Sequence, residues 1–118
     1  MPFISEEIEN RIIRGFAESL GIPPNEVEFN INENPQRPSI TLHGKRMLKD
    51  ETVEARFTIT QTGRNEYTIQ GNIDYIGKAP RTRSINQPIK GSPESLGQIL
   101  TRIMSSAKIK KKGFFQFF

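Results

Sequence analysis

Residues 53–76 read VEARFTITQTGRNEYTIQGNIDYI, and this stretch decides the fold. Val53, Ala55, Phe57 and Ile59 alternate with Glu54, Arg56, Thr58 and Thr60. After a break, Tyr67, Ile69, Ile73 and Tyr75 alternate with Thr68, Gln70, Asn72 and Asp74. Successive side chains leave a strand on opposite faces, so a period of two gives each run one apolar and one polar face. Thr62-Gly63-Arg64-Asn65 between the runs has hairpin-turn composition, and the pair reads as an antiparallel hairpin. Gly71, inside the second run, is expected to mark a bulge or the close approach of a helix.

Working outward, Val27, Phe29 and Ile31 alternate with Glu26, Glu28 and Asn30, which predicts a half-buried strand. Asn32 to Pro38 reads as a loop containing Pro35 and Pro38. Ser39 to His43 alternates again before Gly44, with Met47 as the furthest extension of that strand. Downstream, Gly77-Lys78-Ala79-Pro80 breaks the chain. Arg81 to Asn86 is read as a fifth, edge strand whose charges discourage further pairing.

Helices are predicted at both ends. Ser5-Glu6-Glu7 places a capping hydroxyl and carboxylates at a helix start, and Ile8, Ile12, Ile13, Phe16 and Leu20 form one apolar stripe. Gly21 can take the left-handed conformation that ends a helix, and Pro23-Pro24 forbid continuation. Gly15 inside this helix costs about 1 kcal/mol relative to Ala, a cost usually offset by close packing. Ser92-Pro93-Glu94 is a second helix start, followed by Leu96, Ile99, Leu100, Ile103, Met104 and Ala107 at helical spacing. The order implies an α+β domain: an antiparallel meander sheet of four or five strands, with an N-terminal and a C-terminal amphipathic helix packed on one face. The domain is expected to span residues 1–107, with a basic and aromatic tail over 108–118.

A chain of 118 residues suits one domain and excludes two full ones. No apolar run is long enough to cross a bilayer, and Met1 to Glu7 lacks the basic and apolar segments of a secretion leader, so a cytoplasmic location is expected. The absence of cysteine removes disulfides, thiolate chemistry and Cys-ligated metal. His43 is the one histidine, and a zinc site built on it would need at least three oxygen ligands, so neither a metal nor a cofactor is expected. His43, beside Gly44, is read as an exposed strand-end side chain. Glu54, Glu66 and Asp74 could converge on the polar sheet face, yet they stand among Thr, Gln, Arg and Asn in the pattern of a hydrated surface. No phosphate loop, dinucleotide fingerprint, serine elbow or calcium loop occurs, and the chain is read as non-enzymatic.

The net charge of +4 is unevenly spread: residues 1–80 carry 9 Lys/Arg and 12 Asp/Glu, whereas residues 81–118 carry 8 Lys/Arg and the single acid Glu94. A one-signed segment raises the local concentration of a polyanion. Arg81, Arg83, Lys90, Arg102, Lys108, Lys110, Lys111 and Lys112 are therefore the expected polyanion-binding residues, with nucleic-acid phosphate as the foremost partner. Phe29, Phe57, Tyr67 and Tyr75 all fall in apolar registers, which leaves no outward rings to stack bases, so contact should be backbone-directed and weakly sequence-selective. The alternative is a protein-interaction adaptor or assembly factor docking through Phe114, Phe115, Phe117 and Phe118 behind the lysine run, with an anionic membrane surface as a further target. The same rings could instead fold back on the domain core or an oligomer interface.

Overall fold

The computed structural model of the chain describes residues 5–33 and 36–104. Helix α1 (Glu6–Leu20) leads into five strands, β1 (Glu28–Asn32), β2 (Ser39–Met47), β3 (Glu51–Gly63), β4 (Glu66–Gly77) and β5 (Arg81–Lys90). Helix α2 follows over residues 96–104. The strands form one antiparallel sheet in the order β1-β2-β3-β4-β5, so each neighbour in sequence is a neighbour in space. Short connections between consecutive strands require this meander.

The caps of α1 follow from its end residues. The Ser5 hydroxyl accepts from the Ile8 N–H at 3.3 Å, and Gly21 closes the helix at φ 88° with its N–H on the Ala17 carbonyl. The last turn of α1 holds no basic residue, but the Arg46 guanidinium from β2 lies where a Cβ on Gly21 would stand. A cation is thus supplied through space to the negative end of the helix dipole. The second helix start differs from the expectation. Pro93–Ser95 forms a 3-10 turn before α2, and no cap bond comes from the Ser92 side chain; the Ser95 hydroxyl donates instead to the Ser92 carbonyl at 2.7 Å.

One apolar cluster holds side chains of both helices and of one register of the sheet. Ile12, Phe16 and Ala17 of α1, Leu96 and Leu100 of α2, and Ile40, Leu42, Ala55, Phe57, Ile59 and Ile69 of the strands are all fully buried in it. Phe16 meets Phe57 edge to face with ring centroids 6.2 Å apart. Gly71 neither bulges nor receives a helix. It sits opposite Phe57, whose ring atoms lie 2.6–2.7 Å from where a Cβ would be, and the break in register falls instead at Gln61/Gly63. β1 is more exposed than its alternation suggests, because it is an edge strand with a single neighbour; Val27 just before it is buried while Phe29 is 47% exposed. β5 runs beyond Asn86 to Lys90, and Pro88, which lacks an N–H, is tolerated on this edge strand.

Gly15 is offset as its position demands. An added Cβ would stand 2.6 Å from Thr101 Oγ1 and 2.8 Å from the Gly97 carbonyl oxygen, and one on Gly97 would stand 2.8 Å from the Arg11 carbonyl. The two helices meet backbone to backbone at these glycines. Helix propensity alone favours Gly15→Ala by about 1 kcal/mol. The contact predicts the opposite sign: Gly15→Ala and Gly97→Ala should both lower the urea midpoint, and a raised midpoint in either would show that the helices are not this close.

Candidate functional site

The register turned away from the core is polar along most of its length. One row across the sheet reads Asn30, Thr41, Thr58, Gln70 and Asn86, and the next reads Glu28, His43, Arg56, Asn72 and Ser84. Thr41 and Thr58 hydroxyls lie 3.3 Å apart across β2 and β3, a cross-strand bond typical of hydrated sheet faces. The strand aromatics Phe29, Phe57, Tyr67 and Tyr75 occupy the other register.

His43 is not at a strand end. It stands within β2 with its side chain 24% exposed, and its two ring nitrogens are both engaged: Nδ1 lies 2.9 Å from Glu28 Oε1 on β1, and Nε2 lies 2.6 Å from Glu54 Oε2 on β3. The histidine therefore clasps three adjacent strands. The hydrogen bond to Glu54, then that to Glu28, raises the His43 pKa above its ordinary value of 6.5, while the bond from His43 lowers that of Glu54 below 4.5. The second partner, Glu28, had no visible signal, since its register opposite His43 depends on the length of the loop between β1 and β2.

The three carboxylates do not converge. Glu54 and Asp74 are directly opposed, flanked in their row by Lys45 and by Thr82, whose hydroxyl donates to Asp74 at 2.7 Å. Glu66 pairs with Lys90 at the far end of β4. The described residues contain no group of three or more side chains suited to holding a metal ion. A cleft of about 370 Å³ between the helices is lined by Arg11, Arg14, Glu18, Glu94, Gln98 and Thr101, a set balanced in charge.

The basic side chains expected to act together are separated. Arg81 and Arg83 lie at the start of β5, and Lys90 lies at its other end, about 30 Å from Arg81 and about 23 Å from Arg83 at the strand rise. Arg102 is exposed on α2, and Lys108, Lys110, Lys111, Lys112, Phe114, Phe115, Phe117 and Phe118 lie outside the described residues. Arg81 is tied down: its guanidinium stacks 4.2 Å from the Tyr75 ring centroid, approaches Glu51 at 3.4 Å and donates to the Ala79 carbonyl at 3.0 Å.

A different grouping replaces the expected one. The β2–β3 turn (residues 48–50) and the β4–β5 turn (residues 78–80) lie at the same end of the sheet, because Met47 pairs with Thr52 and Thr52 with Ile76. The rows from this end back to Lys45–Glu54–Asp74–Thr82, with Arg83 just behind, gather Lys45, Arg46, Lys49, Lys78, Arg81 and Arg83 with Asp50, Glu51, Glu54 and Asp74, six cations against four carboxylates. The opposite end, where β1 ends and β2 begins, with residues 62–66 and 90–94, balances Arg37, Arg64 and Lys90 with Glu33, Glu66 and Glu94. Sequence reasoning missed Lys45, Arg46, Lys49 and Lys78, since they belong to a stretch that is acidic in total and become neighbours of Arg81 and Arg83 only through pairing.

Comparison of the chain with protein families, curated proteins and solved structures finds no match. Among the described residues no helix is long and apolar enough to cross a membrane.

The His43 clasp predicts a pH profile. A raised folded-state pKa stabilises fully below 6.5 and is lost as pH rises through the raised value, and the lowered Glu54 pKa stabilises above 4.5 and is lost as pH falls through the lowered value. The contribution is therefore greatest between those ordinary values. The melting temperature of the parent chain relative to His43→Gln should be highest near pH 5.5 and converge at alkaline pH, and a difference that does not vary with pH would contradict the clasp.

Proposed function

We propose that this chain is a non-enzymatic binding domain that engages a phosphate-bearing polyanion at the end of the sheet where the β2–β3 and β4–β5 turns lie side by side. The observation that carries this reading is the excess of six Lys/Arg over four carboxylates at that end, with Lys49 and Lys78 on the turns themselves, against charge balance at the other. A net positive field at one pole orients an approaching polyanion as well as attracting it. Within the cluster Arg81 is held by Tyr75 and Glu51, whereas Lys45, Lys49, Lys78 and Arg83 are exposed for phosphate contact.

Two further features support binding over catalysis. Both ring nitrogens of His43 are occupied by carboxylates, so the ring keeps no nitrogen for a substrate proton. The reading also takes both helices to cover one sheet face, which leaves the Thr, Asn and Gln rows of the other to water. Those rows offer no aromatic platform, so nucleic acid would be held by its backbone with little regard to sequence.

Titration of the full chain with duplex and single-stranded DNA over a range of salt tests the reading. Binding should be present at low salt and weaken along a straight line in log[salt]. Replacing Lys49, Lys78 and Arg83 by Gln should flatten the slope by about 0.9 for each duplex phosphate that is no longer neutralised. An absence of binding at low salt, or a slope unchanged by the triple substitution, would overturn it.

A further inference from the structure

The described residues expose four large apolar side chains, and three of them stand at the basic end: Met47 is 78% exposed, Ile76 52% and Leu48 41%. Met47, Thr52 and Ile76 form the last row of the outward register, so Met47 and Ile76 flank Thr52 about 10 Å apart, with Leu48 in the adjoining turn. Exposed apolar side chains are common singly, but gathering at one pole is not what a merely hydrated hairpin end needs. Here they project from the end of the sheet between Lys45, Lys49 and Lys78, all exposed.

We propose that this end of the domain docks on an anionic lipid bilayer, with Met47, Leu48 and Ile76 entering the headgroup boundary while Lys45, Lys49 and Lys78 meet lipid phosphates. The inference rests on the polyanion reading and names its partner. Three physical arguments select a bilayer. Duplex nucleic acid would satisfy the cations but leave the three apolar side chains in water or against phosphate. A second copy of the chain would set a net positive end against another, and three side chains at one sheet end fall far short of the roughly 800 Å² per partner of a stable protein interface. A bilayer accepts a protruding tip, takes apolar groups a few ångströms below its phosphates, and rewards each nearby Lys or Arg when its lipids are anionic.

The tip commits little structure to the task. Leu48 N–H bonds the Glu51 carbonyl at 2.8 Å, closing the β2–β3 turn through its backbone, and the Leu48 side chain is left outside. Arg46, Val53, Tyr75 and Arg81 make the row behind the tip on the inward register, where Tyr75 is buried and Arg81 stacks on it. Replacing the outward apolar side chains therefore leaves this supporting row intact.

The test uses the full chain and two kinds of vesicle, phosphatidylcholine alone and phosphatidylcholine with phosphatidylserine, with DNA titrated in parallel. The chain has no tryptophan, so Ile76→Trp provides a single reporter at the tip. Its emission should shift to the blue and be quenched by brominated lipid with the anionic vesicles and with no others. Met47→Ser combined with Ile76→Thr should weaken vesicle binding about tenfold while leaving DNA binding unchanged. Lys49→Gln and Lys78→Gln should weaken vesicle binding about fivefold each and weaken DNA binding too. An unshifted tryptophan, or vesicle binding indifferent to the apolar substitutions, would overturn the bilayer proposal. If DNA binding persisted, the polyanion reading would stand without it; if neither partner bound, both would fall.

Discussion

Phe57 lies on the middle strand of five, opposite Leu42 on one side and Gly71 on the other, and its ring fills the space that a side chain at position 71 would need. Phe16 of α1 meets that ring edge to face. Much of the rest follows from this seat. It fixes which register of β3 and β4 is dry, and because side chains alternate, a slip of one residue would turn Phe57, Ile59, Ile69 and Ile73 to water together. It also holds α1 close enough to the sheet for Gly44 to be required beneath Phe16 and Leu20, where a Cβ would stand 2.8–2.9 Å from their side-chain atoms. The Gly15 and Gly97 contact then draws α2 against α1.

Once the register is fixed, the distribution of charge is no longer adjustable. Pairing Met47 with Thr52 and Thr52 with Ile76 brings the two turns at that end together, and with them cations from segments about thirty residues apart in the chain. The same pairing sets Glu54 opposite Asp74, a repulsive arrangement in isolation. Lys45 beside Glu54, the His43 ring on Glu54 and the Thr82 hydroxyl on Asp74 offset it. The outward face is thus nearly neutral at its centre and basic at one pole.

The fold was largely legible because its signals are local. Alternation in 53–60 and 67–75, the cap at Ser5 and the stop at Gly21 each depend on residues within a few positions, and the meander requires no long-range choice. The basic end was not legible, for the same reason in reverse. Lys45, Lys49 and Lys78 look like scattered surface charges until strand pairing brings them to one end of the sheet, and Lys90 looks like a companion of Arg81 until β5 proves long enough to carry it away. His43 misled because Gly44 suggested a strand end, whereas that glycine lies mid-strand to admit Phe16 and Leu20. Met47 and Ile76 stand in the outward register and are exposed, and only strand pairing shows that they share one row.

The central claim is spatial: anions are met by one end of the sheet and not by the other. Amide NMR spectra of the full chain during titration with a short polyphosphate locate the contact residue by residue. The account predicts that shifts concentrate at residues 45–49 and 76–83, whatever the lysines beyond residue 107 contribute, and leave residues 61–66 unmoved. Shifts centred on residues 61–66 and 90–94, or spectra that do not respond at low salt, would contradict it.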